Sequence, residues 1–122
     1  SAAVHAMKSL IILNDAPYGS ERSYNGLRLA DSLARRGHHE VRVFLMGDAV
    51  MCAKLGQHTP NGYYNIERML IPVTRAGGQI AVCGSCLDVR GLEANMLAEG
   101  CHRGTMDELT DWTEWAEQVL VF

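Results

Sequence analysis

The chain has 122 residues, 48% of them hydrophobic, which is one domain's worth and enough to bury roughly two-thirds of the unfolded surface in a single core. A net charge of −3 and a pI of 5.9, with Lys and Arg scattered singly, give no basic stripe for a phosphate backbone, so no nucleic-acid partner is expected. No apolar run is long enough to cross a bilayer, and the N-terminus lacks the basic region, apolar core and cleavage site of a secretion signal. The expectation is a cytoplasmic protein with no membrane partner, whose four cysteines are reduced, catalytic or metal-binding thiols rather than a disulfide framework.

Residues 1–6 read as an expression remnant ahead of a native start at Met7, leaving 7–122 as the domain. Residues 8–13 form the first strand, 14–19 a loop, and Ser20 is placed as the N-cap of a helix presenting Tyr24, Leu27, Ala30 and Ala34. Gly37 ends that helix in the left-handed position, and His38 and His39 follow it as solvated residues. Residues 41–46 are the second strand, after which Gly47-Asp48 turns into a short helix carrying Cys52 as a small buried hydrophobe. The turn-rich stretch 56–62 (GQHTPNG) is either a mobile flap over a site on the same sheet edge or an ordinary surface loop. Residues 63–76 carry helical periodicity, with a break expected near Ile71 because of Pro72.

Gly77-Gly78 leads into a third strand, 79–82, and then into Cys83-Gly84-Ser85-Cys86. A short helical piece and a weak edge strand near Cys101 come next. Thr105 and Glu108 form a capping box for a helix through Trp112, Trp115 and Ala116, and 119–122 is the last strand. Both tryptophans sit at core spacing, where they pack inward or anchor a subunit interface. Alternation of strand and helix is the signature of an α/β fold with a parallel sheet covered on both faces.

In such a sheet, ligands bind where the strand ends release their loops. The first of these loops offers Asp15, Tyr18, Ser20, Glu21 and Arg22, and the third offers Cys83, Ser85, Cys86 and Arg90. Free N–H groups and the helix dipole at the start of a helix favour a thiolate by about 0.3–2 kcal/mol, enough to draw a thiol of pKa about 8.5 toward neutrality. A hydroxyl at Ser85 and a guanidinium at Arg90 add to that, unless Arg90 is engaged in a surface ion pair with Asp88 or Glu93. His58, in the turn-rich stretch, is the one histidine placed to act as acid or base.

A C-x-x-C at a strand-to-helix turn serves three chemistries: dithiol exchange uses both sulfurs, a zinc site needs four ligands, and a sulfur carrier needs one. Zinc would have to recruit Cys101 and His102, and adjacent residues diverge in strands and helices alike, so no metal is expected. No dinucleotide or P-loop fingerprint is present, and no cofactor is expected.

The segments NDAPYGSERSYNGLRLADSL, VRVFLMGDAV, GYYN, VCGSCLDVRGL, GTMDEL and the terminal VLVF, in that order and spacing, resemble the DsrE/DsrF-like family, with its YchN-like and TusD-type sulfur relay branches. The resemblance runs over residues 7–122. It implies a three-layer α/β/α sandwich with a five-stranded parallel sheet, and assembly as a homotrimer or homohexamer. It further implies sulfane sulfur carried as a protein-bound persulfide between a protein donor and a protein acceptor. In TusD-type members the carrier cysteine stands eight residues before the glycine of an Arg-Gly pair, and Cys83 matches that position relative to Arg90-Gly91. Cys86 departs from the single-cysteine pattern and would resolve or protect a persulfide on Cys83. The alternatives are a thiol–disulfide redox protein or sensor using the Cys83–Cys86 pair, and a ligand-binding assembly module without catalysis.

Overall fold

Strand and helix alternate along the chain because β-branched and apolar runs are separated by amphipathic segments and glycine stops. In the computed structural model, which describes residues 5–122, they give β1 (Met7–Leu13), α1 (Arg22–Arg35), β2 (His39–Leu45) and a 3-10 helix (Gly47–Ala53). Then come α2 (Ile66–Met69), α3 (Ile71–Arg75), β3 (Gln79–Cys83), α4 (Gly84–Asp88) and a 3-10 turn (Ala94–Met96). The chain closes with β4 (Cys101–Gly104), α5 (Met106–Trp115) and β5 (Gln118–Val121). All four strand pairings are parallel and the sheet order is β4-β3-β2-β1-β5.

That order fixes the layers. The chain steps one way from β1 to β4 and then returns across the whole sheet to β5, so crossovers of one hand leave α5 on the face opposite α1, α2 and α3. Register agrees: Leu13, level with Leu45, lies against Gly26 of α1, whereas Phe44, level with Ile12, meets Trp112 of α5. The Phe44 and Trp112 rings sit edge to face at 6.0 Å, a geometry contributing about 0.5–1.5 kcal/mol beyond burial. Trp112 is therefore a core residue, while Trp115 is half-buried with the Arg42 guanidinium 3.9 Å over its ring. Leu10, Ile11, Leu13, Val43, Phe44, Leu45, Ile80 and Val82 form the buried centre between the layers.

Several local expectations need correction. Ser20 does not cap α1: its hydroxyl donates to the Asp15 carboxylate at 2.6 Å, and Glu21 occupies the cap position without a side-chain bond. The second strand starts at His39, which pairs with Met7, is half-buried, and holds a buried Nδ1 with no partner among the described residues. Only His38 is exposed as expected. Gly37 takes φ +73°, the left-handed stop anticipated for α1. The break before Pro72 falls at Leu70, splitting the segment into α2 and α3, and Asn65 caps α2 by accepting from the Arg68 N–H at 3.1 Å. Thr105 caps α5 from the Glu108 N–H, also at 3.1 Å, but the reciprocal half of the box is not made, because the Glu108 carboxylate pairs with His102.

Candidate functional site

β3 is buried on both faces up to its last residue, Cys83, which is also the N-cap of α4. The cap position is what aims the sulfur: Cys83 Sγ accepts from the Cys86 N–H at 3.4 Å and lies 3.5 Å from the Ser85 hydroxyl. α4 has five residues, so these discrete bonds matter more than any macrodipole. Burial pushes the Cys83 thiol up, but hydrogen bonds from the Cys86 thiol, the Ser85 hydroxyl and two backbone N–H groups outweigh it and hold the thiol below its ordinary value.

Cys86 moves the other way. Burial and donation to Cys83 push its thiol up, against the Gly47 N–H that donates to its sulfur at 3.3 Å and the nearby charge of Arg90. The pair is thus biased in opposite directions, Cys83 toward the thiolate and Cys86 toward the thiol, the division of labour needed by a nucleophile and a resolving thiol. Burial pushes Cys52 up to about 12 and Cys101 up to about 11, leaving both inert near neutrality.

The cation beside Cys83 is not the one expected. Arg90 is engaged with Asp48 at 2.8 Å and with the Cys86 carbonyl at 3.0 Å, so it serves Cys86. Arg103, on the neighbouring edge strand β4, takes the place beside Cys83: it forms a two-pronged pair with Asp88 of α4, both contacts 2.8 Å, and lies flat across Gly84. A Cβ on Gly84 would stand 2.8 Å from the guanidinium carbon, so only glycine between the two reactive positions allows that approach. Sequence reasoning missed Arg103 because no local spacing links it to Cys83; the link is the β3–β4 register, in which Val82 stands opposite Arg103 and Cys83 opposite Gly104.

A hollow of about 250 Å³ opens beside Cys83, lined by Phe44, Met46, Gly84, Ser85, Arg103, Gly104, Thr105 and Met106. It lies on the α5 face, between the C-terminal ends of β2, β3 and β4 and the start of α5. Cys101 and His102 do not converge with the cysteine turn: Cys101 shares its face with Ile80, and His102 points toward α5, donating to the Glu108 carboxylate. Among the described residues no group of three or more His, Cys, Asp or Glu is arranged to hold a metal ion.

The loop after β1 is a separate feature. β2 lies between β1 and β3, which sets the two loops about two strand spacings, roughly 10 Å, apart. Asp15 there accepts from Ser20 and sits 3.9 Å from Arg22, and Asp15 and Arg22 border their own hollow with Phe122. Glu21 is exposed. The Tyr18 hydroxyl donates to Gln57 at 2.7 Å and accepts from the Ile66 N–H. Gln57 in turn donates to the carbonyls of Met51, Cys52 and Lys54, tying the 56–62 stretch to the 3-10 helix and α2. His58 is exposed in a hollow formed by residues 57–68, which shares no lining residue with the one beside Cys83.

The fold recurs in known proteins. The profile of the DsrE/DsrF-like family matches residues 7–122. The chain belongs to that family. It is 41% identical over 116 residues to the protein YchN of Escherichia coli (strain K12), a match covering 94% of this chain and 98% of YchN. The crystal structure of the E. coli ychN protein superposes with a TM-score of 0.88 at 40% identity, covering 95% of this chain and 99% of that one. A conserved protein of unknown function, BT1422 from Bacteroides thetaiotaomicron, shares the fold at 19% identity with a TM-score of 0.67, covering 93% and 94% of the two chains. DsrE/DsrF-like membership is compatible with a sulfur-relay role, and among the described residues no helix is long and apolar enough to cross a membrane.

Proposed function

We propose that this DsrE/DsrF-like protein carries sulfane sulfur as a persulfide on Cys83, receiving it from a protein persulfide donor and passing it to a protein acceptor. The observation that carries the reading is that one cysteine of four accepts hydrogen bonds that favour its anion and is set at the mouth of a hollow. In the loading step the Cys83 thiolate attacks the outer sulfur of a donor hydropersulfide, giving Cys83–S–SH and the donor thiolate. Transfer reverses the roles: an acceptor thiolate takes the outer sulfur and Cys83 leaves as thiolate.

Cys86 supplies an exit. Once deprotonated, it attacks the inner sulfur of Cys83–S–SH, hydrosulfide departs, and a Cys83–Cys86 disulfide remains for reduction. Family membership supports assembly as a homotrimer or homohexamer, as do Val119 and Val121 on the exposed edge strand β5, 39% and 64% accessible.

Brief treatment with inorganic polysulfide followed by intact-mass measurement tests the reading. Wild type should gain one sulfur atom, Cys83→Ser none, and Cys86→Ser should hold the added sulfur longer than wild type. Equal gain in Cys83→Ser, or none in wild type, overturns it.

A further inference from the structure

The hollow beside Cys83 has a chemistry of its own. Three of its walls are Phe44, Met46 and Met106, and its volume of about 250 Å³ exceeds the roughly 150 Å³ that an apolar cavity needs to take a benzene ring. Its one charged lining residue is Arg103, and both terminal nitrogens of that guanidinium are held by Asp88 at 2.8 Å. The other nearby cation, Arg90, is held by Asp48. Thr105 already accepts from the Glu108 N–H. When the Cys83 sulfur ionises, the site offers an incoming molecule no cation that is not already paired with a carboxylate.

We infer that the hollow admits low-molecular-weight organic hydropersulfides with an uncharged, apolar tail, the tail packing on Phe44, Met46 and Met106 while the outer sulfur meets Cys83. An anionic tail would bring a second negative charge beside the thiolate, where the one lining cation is already paired with Asp88. Cys83 is only 9% exposed, so its sulfur is reached by a narrow projecting group, which a slender molecule supplies as well as a protein loop does. The inference rests on persulfide carriage at Cys83 and adds that loading needs no protein donor. The step balances as before: Cys83–S⁻ and R–S–SH give Cys83–S–SH and R–S⁻.

Benzyl hydropersulfide and its 4-carboxybenzyl counterpart share a reacting group and differ in tail charge. Each is mixed with the full chain at neutral pH, and the fraction of Cys83 carrying one added sulfur is followed by mass against time. The neutral donor should load about tenfold faster, the size of a close like-charge penalty in a partly exposed site. Met106 is 62% exposed, so Met106→Lys leaves the core intact and places a cation at the mouth; it should bring the two rates together or reverse them. Equal or faster loading by the carboxylate in wild type overturns the inference. Loading by inorganic polysulfide but by neither benzyl donor overturns it too, while leaving persulfide carriage standing; failure of all three overturns both.

Discussion

Cys83 and Cys86 are three residues apart and share a turn, yet their surroundings drive them in opposite directions. Cys83 receives hydrogen bonds, whereas Cys86, half-buried, gives one and sits beside a developing negative charge. Since the thiolate is the reacting form, alkylation of Cys83 by iodoacetamide should reach half its limiting rate at a pH below the ordinary thiol value of about 8.5. Ser85→Ala removes one of the bonds that favour the anion and should move that midpoint upward. Arg103→Ala should slow alkylation at neutral pH roughly threefold, with Arg103→Lys recovering part of the loss, because the lysine restores charge without the fork to Asp88. Unchanged rates in both variants would leave Arg103 only a surface pairing role.

At the scale of elements, stability at the site depends on the caps that set each turn. Thr105 accepts from the Glu108 N–H at the start of α5, the single helix on its face among the described residues. Thr105→Ala should cost about 1 kcal/mol, read as a fall in Tm of about 4 °C. Much of this level was legible in the sequence: periodicity placed the helices and strands, Gly37 and Pro72 marked real breaks, and the cysteine turn stood where strand meets helix. What escaped was whatever depends on competition between partners. Ser20 has the chemistry of a cap, but Asp15 claims its hydroxyl; Glu108 has the chemistry to close a capping box, but His102 claims its carboxylate. Arg90 has the spacing to reach Cys83, but Asp48 holds it, and Arg103 arrives through strand register that no local pattern encodes.

For the molecule as a whole, the return of the chain from β4 across the sheet to β5 places α5 on the face that carries Cys83, and the start of that helix lines the hollow. The same sheet buries Cys52 and Cys101, whose thiols are pushed up to about 12 and about 11 by desolvation. A thiol raised in the folded state costs nothing below its unfolded pKa and destabilises the fold as pH climbs past it. Stability should therefore decline above about pH 8.5 by up to about 1.4 kcal/mol per pH unit for each such thiol, flattening as each folded value is reached. Urea titrations at stepped pH measure that slope, and Cys52→Ala should make it shallower whatever its effect on stability at neutral pH.

The central claim, that Cys83 is the sulfur that accepts sulfur, is tested most directly by its peptide. Trypsin releases residues 76–90 as one fragment containing both Cys83 and Cys86 and neither Cys52 nor Cys101. After a short polysulfide pulse and trapping with an alkylating agent, fragmentation of that peptide should locate the added sulfur on Cys83. Finding it on Cys86, or finding only a disulfide between the two with no persulfide at the earliest times and none in Cys86→Ser, would contradict the account and favour a dithiol redox couple.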